Sequence, residues 1–365
     1  MNEPLPATHP RLAAGAARNL PMRTSLAILG LIALLCLIGP LASGHPYDQV
    51  YRDYVLVRPS PFAHPDARET REALEGIARR MRAQVEAARQ DGEVLHLAIR
   101  ADRPIDPRAL RDFERSDVFG RARIAGTQDE GRRLSIDAPL KRLVFLFGTD
   151  TNGRDLFTRT LIAGRISLAV GLLASLVALT IGVAYGAVAG YAGGRIDALM
   201  MRIVEVVYAL PFIFFVIVLV MVFGRHFVLI FVTIGAVEWL DMARIVRGQT
   251  LSIKQRDFVA AAEALGASAP AILWRHVIPN AAGPIVAYLA VLVPQVILLE
   301  SFVSFLGLGV QEPLTSWGVL VADGARNIQG SVHLLIFPAL FLGATLGALQ
   351  SLGNAWQGTP GAGNR

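Results

Sequence analysis

The sequence predicts an all-α polytopic membrane protein of six transmembrane helices, with a small α+β insertion between the first helix and the second. Three observations predict it. Of 365 residues 53% are hydrophobic, and the mean hydropathy is +0.47, an apolar excess that a water-soluble domain has too little polar surface to cover. Six apolar runs reach the ~20 residues that a helix needs to cross the hydrocarbon core. Between the first two runs, residues 45–147 hold 19 basic and 17 acidic side chains, so that stretch belongs in water.

Residues 1–23 form a tail whose Arg11, Arg18 and Arg23 assign it to the cytoplasm, because short cytoplasmic segments retain arginine and lysine. The first span covers 24–43; its "PLASG" end also fits a cleaved secretory signal, and both readings leave the next segment on the same side. The insertion follows, external by alternation, since long loops translocate regardless of their charge. Within it, "DARETREALEGIARRMRAQVEAARQDG" (66–92) repeats Leu74, Ile77, Met81 and Val85 at helical spacing and ends on Gly92, which predicts one helix. "EVLHLAI", "RARIAG" and "RLSIDA" read as strands, and "DPRALRDFERS" as a short helix with Pro107 in its first turn. The domain is either a docking surface for an external partner or a decoration.

The core, 148–352, carries the remaining spans at 166–190, 199–223, 227–246, 281–303 and 332–352, before a cytoplasmic tail at 353–365. It opens with "GTDTNGRD", whose short polar side chains around Gly153 predict a helix-capping turn; Arg154 and the lack of a distant glutamate oppose a calcium loop. Gly182, Gly186 and Gly190 recur every four residues, a stripe that admits close backbone packing within the subunit or against a partner, and Gly343 and Gly347 repeat the pattern in the last span. Pro211 and Pro294 bend their spans. Arg195 and Arg202 mark the second-to-third loop as cytoplasmic, Arg244, Arg247, Lys254, Arg256 and Arg275 mark the fourth-to-fifth link likewise, and the third-to-fourth turn holds only Arg225. Glu205, Glu238, Asp241 and Glu300 fall in or beside spans, where ionisable groups face a bundle interior or a wet cavity; Glu238 is the nearest to mid-span, and Arg244 is spaced to pair with Asp241.

The link 247–279 is too patterned for a plain connector. After the charged Asp257, Phe258, Ala261, Ala262 and Leu265 share a face of a short helix, Glu263 lies between them, and Gly266 stands where a helix ends in a left-handed residue. After Ala267, Ser268 is placed to cap a second helix with Pro270 in its first turn, and Pro279 punctuates the return to the membrane. Such a rigid helix, turn and helix can transmit force from a cytoplasmic partner.

This segment resembles the EAA loop of membrane subunits in ATP-binding-cassette importers, although the family's first glutamate is Ala260 here, followed by Ala261 and Ala262, then Gly266 and Pro279. "FGTDTNGRDLFTRTLIAGRISLAVG", "AGYAGGRIDALMMRIVE", "ARIVRGQTLS" and "LLESFVSFLGLGVQEPLTSWG" are similar to the C-type permease subunit of oligopeptide, dipeptide and nickel importers, in that family's order. The tail "SLGNAWQGTPGAGNR" departs from it. The resemblance implies the MetI-like fold of type I importers, a bacterial inner-membrane location and half of a translocation pathway. It also implies a second permease subunit, two cytoplasmic ATPases that use ATP and magnesium, and an extracytoplasmic solute-binding protein.

Catalytic signatures are missing from the sequence: it has no GxSxG, HExxH or Walker A pattern, its one cysteine, Cys36, lies in an apolar run, and its seven histidines lack zinc-ligand spacing. The expectation is a non-catalytic transport subunit that binds no cofactor or metal and no nucleic acid. The same machine carrying nickel or another small solute, an ion-coupled secondary transporter using Glu238, and a membrane anchor presenting 45–147 as a sensor remain alternatives.

Overall fold

The computed structural model describes residues 11–224 and 227–357; Arg225 and the last part of the expected tail, 358–365, lie outside them. The described residues fold as two compact units. One comprises 40–159 and 327–337, and the other the remainder.

The first unit is built on a four-stranded antiparallel sheet of order β1-β2-β4-β3. Helix α1 (Arg11–Ala42) precedes it in the chain, and α2 (Ala67–Arg80) opens with a capping box in which Asp66 accepts from Glu69 N–H and Glu69 returns the bond. The strands are β1 (Ala83–Asp91), β2 (Val94–Ala101), β3 (Arg123–Gln128) and β4 (Arg133–Pro139), with a 3-10 turn at Pro107–Leu110 and α3 (Arg111–Glu114) between β2 and β3. Alternation sets the faces: Leu95, Leu97 and Ile99 of β2 and Leu134, Ile136 and Ala138 of β4 are buried with Leu74 and Ile77 of α2. His96–Asp137 and Arg133–Glu86 pair at 2.6 and 2.7 Å on the opposite, wetter face.

The helix expected over 66–92 is therefore shorter, and its second half is a strand. Arg82 at φ 53° breaks the helix, and β1 gains a backbone ladder with β2, interrupted by an irregularity at Glu86, through a two-residue turn whose first residue, Gly92, has φ 60°. Met81 and Val85 fit both periods, so the hydrophobic spacing misled where the Asp91-Gly92 hairpin signal was the better guide.

"GTDTNGRD" forms a tight turn. Asp150 accepts from the N–H groups of Asn152 and Arg154 and holds the Arg154 and Arg159 guanidinium groups. Asp155 caps the next helix through Thr158 N–H at 2.8 Å and Thr158 Oγ1 at 2.6 Å. Gly153 at φ 77° lets the loop approach the Tyr51 carbonyl, where any side chain would collide.

The second unit is helical. Beyond most of α1 it holds the body of α4 (Leu156–Ala192), then α5 (Gly194–Tyr208), α6 (Phe212–Phe223), α7 (Phe227–Lys254), α8 (Asp257–Ala264), α9 (Ala269–Ile272), α10 (Ile278–Phe305), α11 (Trp317–Arg326) and most of α12 (His333–Gln357). Among the described residues, four helices are long and apolar enough to cross a membrane, Met22–Ala42, Leu156–Ala192, Ala269–Phe305 and His333–Ala355, or five if α5 and α6 count as one bent span. Residues 199–223, expected as one bent span, are two helices at 82°, broken before Pro211, which cannot continue a helical hydrogen-bond ladder.

Helix α7 runs eight residues past the expected end of its span. Hydropathy stops at the charges of 244–254, but Ala243, Val246, Thr250 and Ile253 keep one helical face buried, and that face sustains the helix. The 37-residue helices at 156–192 and 269–305 reach about 55 Å at 1.5 Å per residue, beyond the ~30 Å hydrocarbon core.

The glycine stripe of α4 lies against α7. A Cβ on Gly182 would stand 2.6 Å from Met242 Cβ, and one on Gly190 would stand 2.8 Å from the Arg247 carbonyl; one on Gly186 would run into the Ala243 carbonyl. Gly235 of α7 reciprocates at Val177. Gly343 and Gly347, by contrast, have nothing within 4 Å of their missing side chains.

Arg165 of α4 secures α1. Pro40 lacks the N–H that would bond the Cys36 carbonyl, and Arg165 Nε donates to that carbonyl at 2.6 Å while a second guanidinium nitrogen donates to Leu37 O at 2.6 Å. Arg165→Met removes this donor from both, at about 2 kcal/mol for the carbonyl of the buried Cys36, which Pro40 leaves without a helical partner. We expect faster modification of the buried Cys36, the only cysteine in the chain, by a membrane-permeant maleimide; an unchanged rate would show that Arg165 does not hold α1.

Candidate functional site: an elbow between two long helices

The elbow begins where α7 ends. Arg256 turns the chain with extended backbone (φ −82°, ψ 145°), and α8 starts at Asp257, whose charge favours a helix N-terminus. At the other end of α8, Gly266 N–H donates to Glu263 O at 2.9 Å and Ala267 N–H to Ala262 O at 3.0 Å, the paired bonds of a Schellman motif. Gly266 occupies its left-handed position at φ 81°. Ser268 then takes the N-cap position of α9 with extended backbone, but its side chain makes no capping bond, contrary to expectation. Pro270 occupies the first turn, where no internal bond is lost.

Pro279 does not end the second elbow helix. From Ala269 to Phe305 the chain is one continuous helix, because Leu273–Val277 widens into a π turn in which Ile278 N–H donates to Leu273 O. A proline just beyond that turn lacks an N–H and crowds the carbonyl four residues back, and the wider turn accommodates both effects. The exposed bend is thus confined to 255–268, shorter than the 247–279 expected.

The buried side of α8 is also rotated from the expected face. Val259 is buried and Ala262 packs against the core with Ile272, Leu273 and Val277. Phe258 and Ala261 are exposed, as are Ala267, Ser268 and Pro279, and Leu265 is 89% exposed. Spacing alone could not tell which of two apolar faces meets the bundle. Trp274, which the pattern of the loop did not single out, is 70% exposed beside Arg275 and His276; a lone tryptophan among basic residues was the available signal.

Three polar contacts hold the base of the elbow. Arg247 of α7 grips Asp197 of α5 with two bonds at 2.5 and 2.6 Å, the bidentate geometry that makes such pairs directional. Lys254 Nζ donates to Tyr191 O at 2.6 Å and lies 5.0 Å from the centre of the Tyr191 ring. Tyr191 Oη donates to Glu263 Oε1 at 2.9 Å, tying the last turn of α4 to α8. The distribution of charge among the loops pointed to Arg247 and Lys254, but nothing in the sequence linked them to residues 50 or more positions away.

The four acidic residues expected on a translocation route do not converge. Glu205 pairs with Arg202 at 2.9 Å on an exposed surface. Asp241 and Arg244 pair at 3.6 Å, and Arg244 also lies 4.3 Å from the centre of the Tyr208 ring. Glu238, one turn earlier on α7, is 8% exposed. Glu300 is fully buried among hydroxyls, accepting from Ser304 Oγ at 2.7 Å and Ser167 Oγ at 3.2 Å. Ser167 in turn accepts from Trp317 N–H at 3.1 Å, and Trp317 Nε1 donates to Thr160 O at 3.0 Å. Glu300 thus joins α4 to α10 at the start of α11, enclosed rather than facing open space.

Several long apolar helices, two of which run well past bilayer thickness, and an exposed elbow leading from α7 into α9 and α10 define a polytopic membrane protein. Residues 182–358 match the model of the binding-protein-dependent transport system inner membrane component family. The chain is 52% identical over 217 residues to the oligopeptide transport system permease protein OppC of Haemophilus influenzae, covering 60% of this chain and 70% of that one. It is 55% identical over 208 residues to OppC of Escherichia coli K12, covering 57% and 69%, and 48% identical over 212 residues to the dipeptide transport system permease protein DppC of Bacillus subtilis, covering 58% and 66%. The chain belongs to the family of binding-protein-dependent transport system inner membrane components and is a multi-pass inner-membrane protein.

Proposed function

We propose that this chain is a permease subunit of an ATP-driven importer that forms half of the translocation pathway for oligopeptides or dipeptides. The observation that carries the reading is the 52–55% identity to oligopeptide permeases in a chain whose elbow exposes Phe258, Leu265 and Trp274. A second permease subunit supplies the other half, two ATPases consume ATP and magnesium at the cytoplasmic face, and a binding protein delivers cargo from outside. The chain itself binds no cofactor. Six helices cross the bilayer, with α7 as a crossing despite Glu238, Asp241 and Arg244, both termini cytoplasmic, and 45–147 outside.

In this mechanism the ATPases push on the exposed side of α8 and α9, and the Schellman turn keeps the two from folding independently. The continuous helix 269–305 carries the displacement into the bundle. Glu238, beside the Asp241–Arg244 pair, is the acid best placed to meet cargo, whereas Glu300 anchors the helices.

Purification of the complex in mild detergent tests the assignment. Wild type should bring down two ATPase chains and a second multi-span subunit. Leu265→Asp combined with Trp274→Asp removes roughly 2 kcal/mol of apolar burial per side chain and should release the ATPases while retaining the second permease. ATPase retention by the double variant would reject the elbow as the docking element.

A further inference from the structure

The geometry points to Tyr191 as a positioning residue that hands the motion of the elbow directly to α4, so that two routes rather than one lead from the elbow into the bundle. The inference rests on the importer reading but names a contact that reading does not require. Covalent continuity already couples α9 to α10. Nothing covalent couples α8 to α4, and yet Glu263 on α8 accepts from Tyr191 Oη at 2.9 Å, across 72 residues of chain.

Two features make this contact more than an incidental surface bond. First, Tyr191 is held on its other side as well: Lys254, at the end of α7, donates to its carbonyl at 2.6 Å and lies over its ring. The tyrosine therefore joins the last turns of α4 and α7 to α8. At this level α4 and α7 are already in close backbone contact, since a Cβ on Gly190 would stand 2.8 Å from both Arg247 O and Thr250 Cβ. A pull on the ring is thus delivered to a packed helix pair.

Second, the chain is made compliant immediately beyond Tyr191. Gly193 and Gly194 both have left-handed backbone, at φ 64° and 56°, and both face open space. Two successive glycines there absorb rotation at little steric cost. The start of α5 just past them is fixed to α7 by the Asp197–Arg247 pair. Both fixed points lie on α7, so the two-glycine joint lets the end of α4 turn locally while α5 keeps its place on α7.

Glu263 also stands where the resemblance to the importer loop gives no role: the family's glutamate position is Ala260 here. Glu263 lies one helical turn further along α8, on the side that reaches α4. Its partner is a hydroxyl rather than a cation, so the bond loses little to salt and much to loss of the hydroxyl.

The test uses the full complex in proteoliposomes, with radiolabelled tri-alanine as cargo and uptake measured per ATP hydrolysed. Tyr191→Phe removes only the hydroxyl, Glu263→Ala removes the acceptor, and Glu263→Gln keeps an acceptor oxygen. We expect Tyr191→Phe and Glu263→Ala each to lower uptake per ATP about fivefold, the size of one ordinary net hydrogen bond at an exposed site. The double variant should fall no further, because both substitutions break the same contact, and Glu263→Gln should restore most of the ratio. A structural role alone would change yield or melting temperature and leave the ratio intact. Unchanged ratios in both single variants, or additive losses in the double, would overturn the inference while leaving the importer reading in place. A wild-type complex without ATP-driven uptake would remove that reading and this inference with it.

Discussion

Gly186→Val should prevent the membrane unit from closing. The added Cβ would run into the Ala243 carbonyl oxygen and stand 3.0 Å from both Arg247 N and Val246 Cβ, so the obstacles are mostly backbone on a buried face of α7 and cannot swing aside. Overpacking in a close-packed interior costs about 1–3 kcal/mol where side chains can yield, and a clash with backbone belongs at the top of that range or beyond it. The expected result is loss of a sharp thermal transition in detergent and a sharply reduced yield of monodisperse protein. Gly343→Val is the internal control: nothing lies within 4 Å of its missing side chain, so the isolated chain should melt as wild type. If Gly186→Val melted normally, α4 and α7 would not be in contact in the protein. Loss of partner retention by Gly343→Val, without loss of stability, would assign the open stripe of α12 to an interface.

The contrast between those glycines shows what the sequence could reveal. Spacing by four identified both stripes equally, since it depends only on helical period. Which stripe meets another helix of the same chain depends on tertiary packing, and the sequence is silent on it. The elbow shows the same division. Gly266 was legible as a helix terminator because left-handed backbone selects glycine locally. The buried face of α8 was not, because Phe258, Ala261 and Leu265 are as apolar as Val259 and Ala262 and only the bundle distinguishes them. Pro279 misled for a related reason: proline usually ends a helix, and the π turn that accommodates it has no composition signal of its own. In the insertion, Met81 and Val85 satisfied a helical period that the pairing of β1 with β2 overrode. Among the acids, position along the chain singled out Glu238 as nearest mid-span but gave no sign that Glu300 is enclosed. The serine hydroxyls that enclose Glu300 come from α4 and α10, 133 residues apart for Ser167, and no sequence window brings them together.

Gly266→Pro is expected to separate ATP hydrolysis from transport without unfolding the protein. Proline fixes φ near −65°, while Gly266 has φ 81°, so the turn cannot form as it stands. The substitution also removes the N–H that donates to Glu263 O and so disrupts the Schellman pair. The cost is local, about 3 kcal/mol, because a Cβ at Gly266 meets nothing within 4 Å and α8 is held to the bundle chiefly through Val259 and Ala262. Expression, insertion and the melting temperature of the chain should therefore stay close to wild type. What changes is the angle between α8 and the helix that begins at Ala269, and with it the rigidity on which force transmission depends. Uptake should fall at least about tenfold, the effect of a 1.4 kcal/mol loss of coupling, while the ATPases continue to turn over. Gly266→Ala retains the N–H and incurs only the left-handed strain of about 1–2 kcal/mol, so it should fall between the two. The order wild type, alanine, proline in uptake per ATP is the signature of a stiff turn; normal uptake by the proline variant would mean that the elbow transmits nothing.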